Sequence, residues 1–497
     1  MKKLILSVAM LCATGMVFAQ TAQLDADCAD CVKPDVTKKD RTAIVEIPRD
    51  AFPVVLINTS DATSLGDNNI IAVNQTGAGN YSDVMQDNSM NTVMVGNNAD
   101  VTQSGMRNYS TITQTHVSHL ATVVQTGDLN YSKIDQSHDD NTSTVTQTGG
   151  DENYAKVSQY GGAGNMATLT QTGNLNDGFQ TQRGSRNIAT LSQIGDSNYS
   201  VQIQGEDSNY GDDNVANISI NGDNNSSVQT QYGDDNYAQF SILGSNNYAT
   251  QTQIGNGNDA SDFSGWKSID GDHNWSEQYQ EGDDNLAETT ILGNGNTNFQ
   301  TQIGSNNTFR TTSYGNGNYN EQFAEGNNNY ADGFQWGAAT GDNNIIIQQQ
   351  TGDDNYAYVG QGYDHAGSHP NVGGADDNIA LQTQSGKYNS ARSIQMGDRN
   401  TSIETQTNAP GSWPSENNVS SVHQFGDDNL ACVEQSTNWT LGTWNQNNIS
   451  AINQTGNGNA ASVFQDGTAN SNWSLVTQTG NMNAACVTQN GNSSIQQ

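Results

Sequence analysis

Polar and apolar residues alternate along this chain in short bursts that restart every eleven or twelve positions. In Asn187-Ile-Ala189-Thr-Leu191-Ser-Gln193, alternate places hold an amide, a small residue, an aliphatic and a second amide. A period of two is that of a β-strand, and no stretch carries the 3.6-residue period of an amphipathic helix. The same order recurs in Asn153-Tyr-Ala155-Lys-Val157-Ser-Gln159, in Asn165-Met-Ala167-Thr-Leu169-Thr-Gln171 and in Asn483-Ala-Ala485-Cys-Val487-Thr-Gln489. Thr172-Gly173-Asn174-Leu175 and Ile194-Gly195-Asp196-Ser197 separate the bursts. Glycine takes the positive φ of a tight reversal and Asp or Asn tolerates it next best, so these links read as turns.

The pattern therefore predicts an all-β chain of strands of about seven residues and turns of about four. Glutamines at 103, 114, 125, 136, 147, 159, 171, 182, 193 and 204 advance by eleven, with two steps of twelve. Such regularity specifies a β-solenoid in which each unit buries its face only against its neighbours. Inward amides on a single coil would lack partners and cost free energy. Stacked at the ~4.8 Å strand spacing, each amide lies over its equivalent and bonds along the axis. The expected ladder residues are Asn153, Gln159, Asn165, Gln171, Asn176, Gln182, Asn187, Gln193, Asn429, Gln435, Asn483 and Gln489. The expected turn glycines are Gly173, Gly184, Gly195, Gly426 and Gly480. A thin polar interior favours coils of strand-turn-strand-turn, although periodicity alone leaves the number of strands per coil open.

Composition changes the picture in three places. Hydrophobic residues make up 33% of the chain, below the roughly 45–50% of ordinary globular domains. Read without its periodicity, such a chain would pass for disordered. Lys2-Lys3, the apolar run Leu4–Phe18 and Val17-Phe18-Ala19 form an export leader over 1–19. Cys12 lacks a lipoprotein cleavage box before it, and no later stretch has the roughly 20 apolar residues of a membrane helix. Losing Lys2 and Lys3 with the leader takes the formal charge from −35 to −37, which repels nucleic acid. Residues 20–65 lack the repeat, contain Pro34, Pro48 and Pro53, and are expected to serve secretion or anchoring. The repeats are expected over 66–497. Cys28-x-x-Cys31 has no βαβ setting for a redox site, and a small structural loop is expected there.

The unit Gln-x-Gly-x-x-Asn-x-Ala-x-x-x-Gln is seen in Gln182-Arg-Gly184-Ser-Arg-Asn187-Ile-Ala189-Thr-Leu-Ser-Gln193. It recurs in Gln424-Phe-Gly426-Asp-Asp-Asn429-Leu-Ala431-Cys-Val-Glu-Gln435. It closely resembles the curlin repeat of curli fibre subunits. The resemblance implies an extracellular functional amyloid: a homopolymer that crosses the outer membrane through a dedicated secretion channel and forms adhesive biofilm fibres, with a nucleator subunit as a further partner. It implies no cofactor and no catalytic set. Curli subunits carry only a handful of repeats, whereas this chain carries several times more. Both strands of its coil mostly open with Asn, where the family often has Ser in one.

Other readings are weaker. The terminal Asn492-Ser-Ser494-Ile-Gln496-Gln497 breaks off in mid-strand, an open edge that invites another chain. Tyrosine follows the opening Asn at 81, 109, 131, 154, 199, 210, 237, 248, 319, 330 and 356, and outward rows of it suit adhesion or simple packing. Turn acids such as Gly233-Asp-Asp-Asn236 are expected to keep the rod soluble, and their spacing does not match calcium repeats. Asp364, His365 and His369 lack a fourth ligand for zinc. No nucleophile has a base beside it, so no enzyme is expected. Outward Thr pairs such as Thr170/Thr172 lapse on neighbouring units, against an ice-binding surface. A monomeric β-solenoid adhesin is the remaining alternative. Cys432 and Cys486 fall two or two and a half coils apart, about 10 Å, and are not expected to bridge to each other.

Overall fold

A computed structural model describes residues 57–89, 95–205, 211–262, 269–336, 343–362, 375–408, 417–437, 447–467 and 471–490. The leader, Cys28 and Cys31, the Asp364/His365/His369 group and the final residues from 491 lie outside them. Within them the chain forms 36 strands in chain order, from β1 (Thr59–Leu65) to β36 (Ala484–Asn490), and no helix. The first described strand, Thr59–Leu65, already pairs with Tyr81–Asp87, inside the segment expected to precede the repeats.

The chain is a β-solenoid with two strands per coil. Strands pair in parallel with the strand two along, so that Met166–Thr172 lies on Ile188–Ile194 in register, Ala167 against Ala189 and Gln171 against Gln193. The strand between them, Asp177–Arg183, pairs instead with Tyr154–Tyr160 and with Tyr199–Gln204. Two parallel sheets result, back to back. The 22-residue coil is set by two eleven-residue units, as the Gln114 to Gln136 step shows. Longer units do not slip the register: Gln182 meets Gln204 and Ile188 then pairs with Val215.

Two compact units divide the chain at residues 291 and 292. In the first, Val84, Val101, Ile112, Val123, Ile134, Val145, Leu169 and Leu191 are fully buried and form one continuous apolar seam. In the second, Val422, Val433, Ile452, Val463 and Val476 form an equivalent seam. Alternation is regular: Thr142–Thr148 reads half-buried, buried, half-buried throughout, because one face is shared with the opposite sheet and the other with solvent.

One expectation needs correction. The third inward place is not aliphatic in every strand. From Gln180 onward that place in one sheet holds Gln202, Gln229, Gln251 and Gln278, while the fourth place of the facing sheet changes from Gln193 to Ile220, Ile242, Ile269 and Ile291. A polar column in one sheet is thus matched by an apolar column in the other. The trade keeps the interior filled while moving the amides sideways.

Candidate functional site: paired amide ladders

The inward glutamines bond rung to rung. Gln136 Nε2 donates to Gln159 Oε1 at 2.9 Å, Gln159 to Gln182 at 2.7 Å and Gln182 to Gln204 at 2.9 Å. On the facing sheet Gln147 donates to Gln171 at 2.8 Å and Gln171 to Gln193 at 2.9 Å. In the second unit Gln406 donates to Gln435, Gln435 to Gln465 and Gln465 to Gln489 at 2.7–2.9 Å. Each amide has further acceptors. Gln171 Nε2 also donates to the carbonyls of Tyr154 at 3.0 Å and Asn176 at 2.9 Å, tying one sheet to the strand facing it. These bonds let Gln147, Gln159, Gln171, Gln182, Gln193 and Gln204 lie at 0% exposure.

The asparagines form a second column with the opposite polarity. Asn176 donates its backbone N–H and its Nδ2 to Asn153 Oδ1 at 3.0 and 3.1 Å, and Nδ2 also reaches the Gly195 carbonyl at 2.7 Å. Asn187 N–H bonds Asn165 Oδ1 at 3.0 Å, Asn429 bonds Asn400 at 3.1 Å and Asn483 bonds Asn459 at 3.1 Å. Glutamine Nε2 therefore donates to the Oε1 of the following rung, whereas asparagine Oδ1 accepts from the backbone N–H of the following rung. A rung offers donors and acceptors at both faces, and a copy placed on either side meets complementary groups.

The turn glycines are required twice over. Gly173, Gly184, Gly195, Gly426 and Gly480 have φ between 98° and 118°, where L side chains are strained. A Cβ on Gly173 would also lie 2.2 Å from the carbonyl oxygen of Gly195, the next rung's turn. Gly480 differs: the nearest atom to its Cβ would be Asn483 Nδ2 at 3.7 Å, because no described rung stacks on it.

Three features escaped the sequence pattern. His119 takes an asparagine's place: its N–H donates to Asn97 Oδ1, its Nδ1 accepts from the Asn141 N–H, and Nε2 bonds the Thr115 carbonyl at 2.8 Å. Burial holds its pKa below the ordinary 6.5, so it stays the neutral imidazole that can accept at Nδ1. Glu404 follows Gln300, Gln322, Gln348 and Gln382 in the polar column of its sheet; it accepts from Gln382 Nε2 at 3.0 Å and from the hydroxyls of Ser393 and Ser420. Full burial pushes its carboxyl above the ordinary range despite those bonds. The turn acids, expected only to confer solubility, also accept backbone bonds: Asp128 N–H bonds Asp151 Oδ1 at 2.7 Å, and Asp196 N–H bonds Asp223 Oδ1 at 2.8 Å. His119 and Glu404 could have been found by aligning the units on their amides and asking which residue breaks the column.

Outward tyrosines pack on each other. Tyr81, Tyr109, Tyr131 and Tyr154 stack with ring centroids 4.6–5.0 Å apart, and Tyr154 is fully buried. Their faces are taken up by neighbouring rungs, which fits packing. Cys432 and Cys486 lie on one outward column with Ser462 between them, and each is in a disulfide. Among the described residues no group of three or more His, Cys, Asp or Glu side chains could hold a metal, and no helix is long and apolar enough to cross a membrane.

The family profile described as Curlin associated repeat matches residues 120–149 and 456–491. No curated protein matches the chain. The two matched stretches lie in different units of the molecule, and the same inward Asn and Gln columns run through the described rungs of both. The chain belongs to the curlin-repeat family.

Proposed function

We propose that this chain is a structural subunit of an extracellular adhesive fibre of the curli type, assembling with copies of itself by end-to-end addition of β-rungs. A single observation carries the reading. Inward groups are fully buried only where a rung lies on both sides: Gln435 and Gln465 are within 1% of complete burial, whereas Ala485, Val487 and Gln489 of β36 are only half-buried. β36, the last described rung, presents the same amide and aliphatic columns as the rungs on which it stacks, a prepared template for a further rung.

The family assignment fits a surface fibre protein, and the leader, the secretion channel and a nucleating partner belong to the same reading. The self-complementary ladders supply a reason for homopolymerisation: each new interface repeats bonds the protein already makes internally. The test is incubation of the purified mature chain alone, followed by thioflavin T fluorescence and electron microscopy. Dye-binding fibres are expected. Discrete rods that remain monomeric at high concentration, even with added fragments of preassembled material, would instead establish a capped solenoid adhesin.

A further inference from the structure

The geometry points to a covalent modification site: at the stacked pairs Tyr330/Tyr356 and Tyr81/Tyr109, a one-electron oxidant joins neighbouring rungs through dityrosine bonds. The inference stands whether or not the chain polymerises. Strand register sets Tyr330 on Tyr356 and Tyr81 on Tyr109, at the ~4.8 Å rung spacing. The rings of the first pair lie 5.1 Å apart and 3° from parallel, those of the second 4.9 Å apart and 6° from parallel. One pair falls in each of the two compact units.

Each pair also holds a carboxylate against a phenol. Tyr330 OH donates to Asp332 Oδ2 at 3.2 Å, and Tyr81 OH donates to Asp61 Oδ2 at 3.3 Å. Burial first, and the Asp332 charge after it, push the Tyr330 phenol up to about 12 and raise that of Tyr356. Burial, then Asp83 and Asp61, push Tyr81 up to about 12. These phenols keep their protons at neutral pH, so losing an electron also means losing a proton. A phenol that has given up an electron is a strong acid, and the carboxylate already bonded to it is the base that takes the proton. Tyr356 is 41% exposed, and Tyr330, Tyr81 and Tyr109 are half-buried, which leaves part of each pair open to an oxidant.

The step balances with hydrogen peroxide acting through a haem peroxidase. Each phenol gives one electron and one proton; the peroxide takes both electrons and both protons and leaves as two waters. The two phenoxyl radicals couple in one bond between ring carbons ortho to the hydroxyls. The hydrogens on those carbons then move to the oxygens as the rings regain aromaticity. Held side by side, the radicals meet each other before they meet another molecule, the advantage of fixed proximity in any two-body step. The bonds tie Tyr330–Trp336 to Tyr356–Gln361 and Tyr81–Asp87 to Tyr109–Thr115.

The test exposes the full mature chain, dilute, to hydrogen peroxide and a haem peroxidase, follows dityrosine fluorescence and maps linked peptides by mass spectrometry. Tyr330–Tyr356 and Tyr81–Tyr109 links, each two hydrogens lighter than the separate peptides, are expected to dominate. In an equal mixture of isotopically labelled and unlabelled chain, each link should carry one label only. Tyr356→Phe keeps a ring in the stack and should abolish the first link while leaving the second. Asp332→Asn should slow the first link several-fold relative to the second, measured in the same sample. Absence of dityrosine, links spread evenly over the other tyrosines, or mixed-label links would each overturn the proposal. An unchanged ratio of the two links in Asp332→Asn would overturn the role of the carboxylate.

Discussion

At the scale of the residue, the protein is built from side chains whose position admits few substitutes. Gln171 is representative: it accepts from Gln147 and donates to Gln193 and to the carbonyls of Tyr154 and Asn176. Gln171→Leu would preserve bulk but strand a donor on one side and an acceptor on the other. With each buried orphan costing about 1–3 kcal/mol, a loss of about 2–5 kcal/mol is expected by urea denaturation. Gly173 offers a different constraint. Gly173→Ala combines a positive φ of 111° with a contact of 2.2 Å to the Gly195 carbonyl, and should cost more than the ~1–3 kcal/mol of backbone strain alone. Gly480→Ala, which lacks the contact, should cost the strain alone. Equal destabilisation of the two would argue against close turn stacking.

At the scale of the element, pH sensitivity resides in two ladder positions and has opposite signs. Glu404 has a carboxyl pKa raised above its ordinary 4.5 by burial, and the side chains bonded to it, Gln382, Ser393 and Ser420, are neutral. The native state holds that proton more tightly than the unfolded chain. Its contribution is therefore fully present below the unfolded pKa and declines as pH rises through the folded one. Glu404→Gln should stabilise the second unit at neutral pH and flatten its stability between pH 4 and 7 in denaturation midpoints. His119 has a pKa lowered from 6.5, chiefly by burial, with nearby Asp139 raising it and His116 lowering it further. Here the unfolded chain binds the proton better. Stability of the first unit should fall as pH drops below about 6.5, and His119→Asn should remove that loss, measured as a melting temperature at pH 5 and pH 7.5.

Much of this element was legible beforehand. The period of two, the step of eleven and the glycine-marked turns together specify parallel stacked strands, because only equivalent neighbours can satisfy inward amides at fixed positions. Two facts were not legible. The exchange of Gln193 for Ile220 opposite the new column at Gln180 and Gln202 is a correlation between facing sheets, invisible to a pattern read one strand at a time. The turn-acid bonds depend on backbone N–H directions that composition does not encode. The tyrosine rows were placed on the correct face by alternation, but whether ring faces meet neighbours or solvent is decided by rung spacing.

At the scale of the whole molecule, each of the two units is built from rungs that follow one rule, and among the described rungs that rule contains no instruction to stop. The strong negative charge, −35 for the full chain, opposes accretion through repulsion between turn acids of successive rungs. Ion pairs such as Arg186 with Asp213 at 2.5 Å and Arg399 with Asp428 at 2.7 Å offset it only locally. Self-association should accordingly speed up with salt, several-fold between about 10 and 150 mM, as the Debye length shortens from roughly 30 to 8 Å. Light scattering at fixed protein concentration checks this, and slower association in salt would contradict it.

The most direct test of ladder-driven growth compares seeded elongation of the parent chain and Gly480→Ala. Among the described residues the added methyl meets nothing nearer than 3.7 Å, but a rung stacked there, as at Gly173, would bring a carbonyl oxygen onto it. Far-UV circular dichroism should first show that the variant is folded. Growth of the variant from preformed seeds should then be at least about tenfold slower than that of the parent chain. Elongation at the parent rate would show that molecules do not join through a continued stack of rungs.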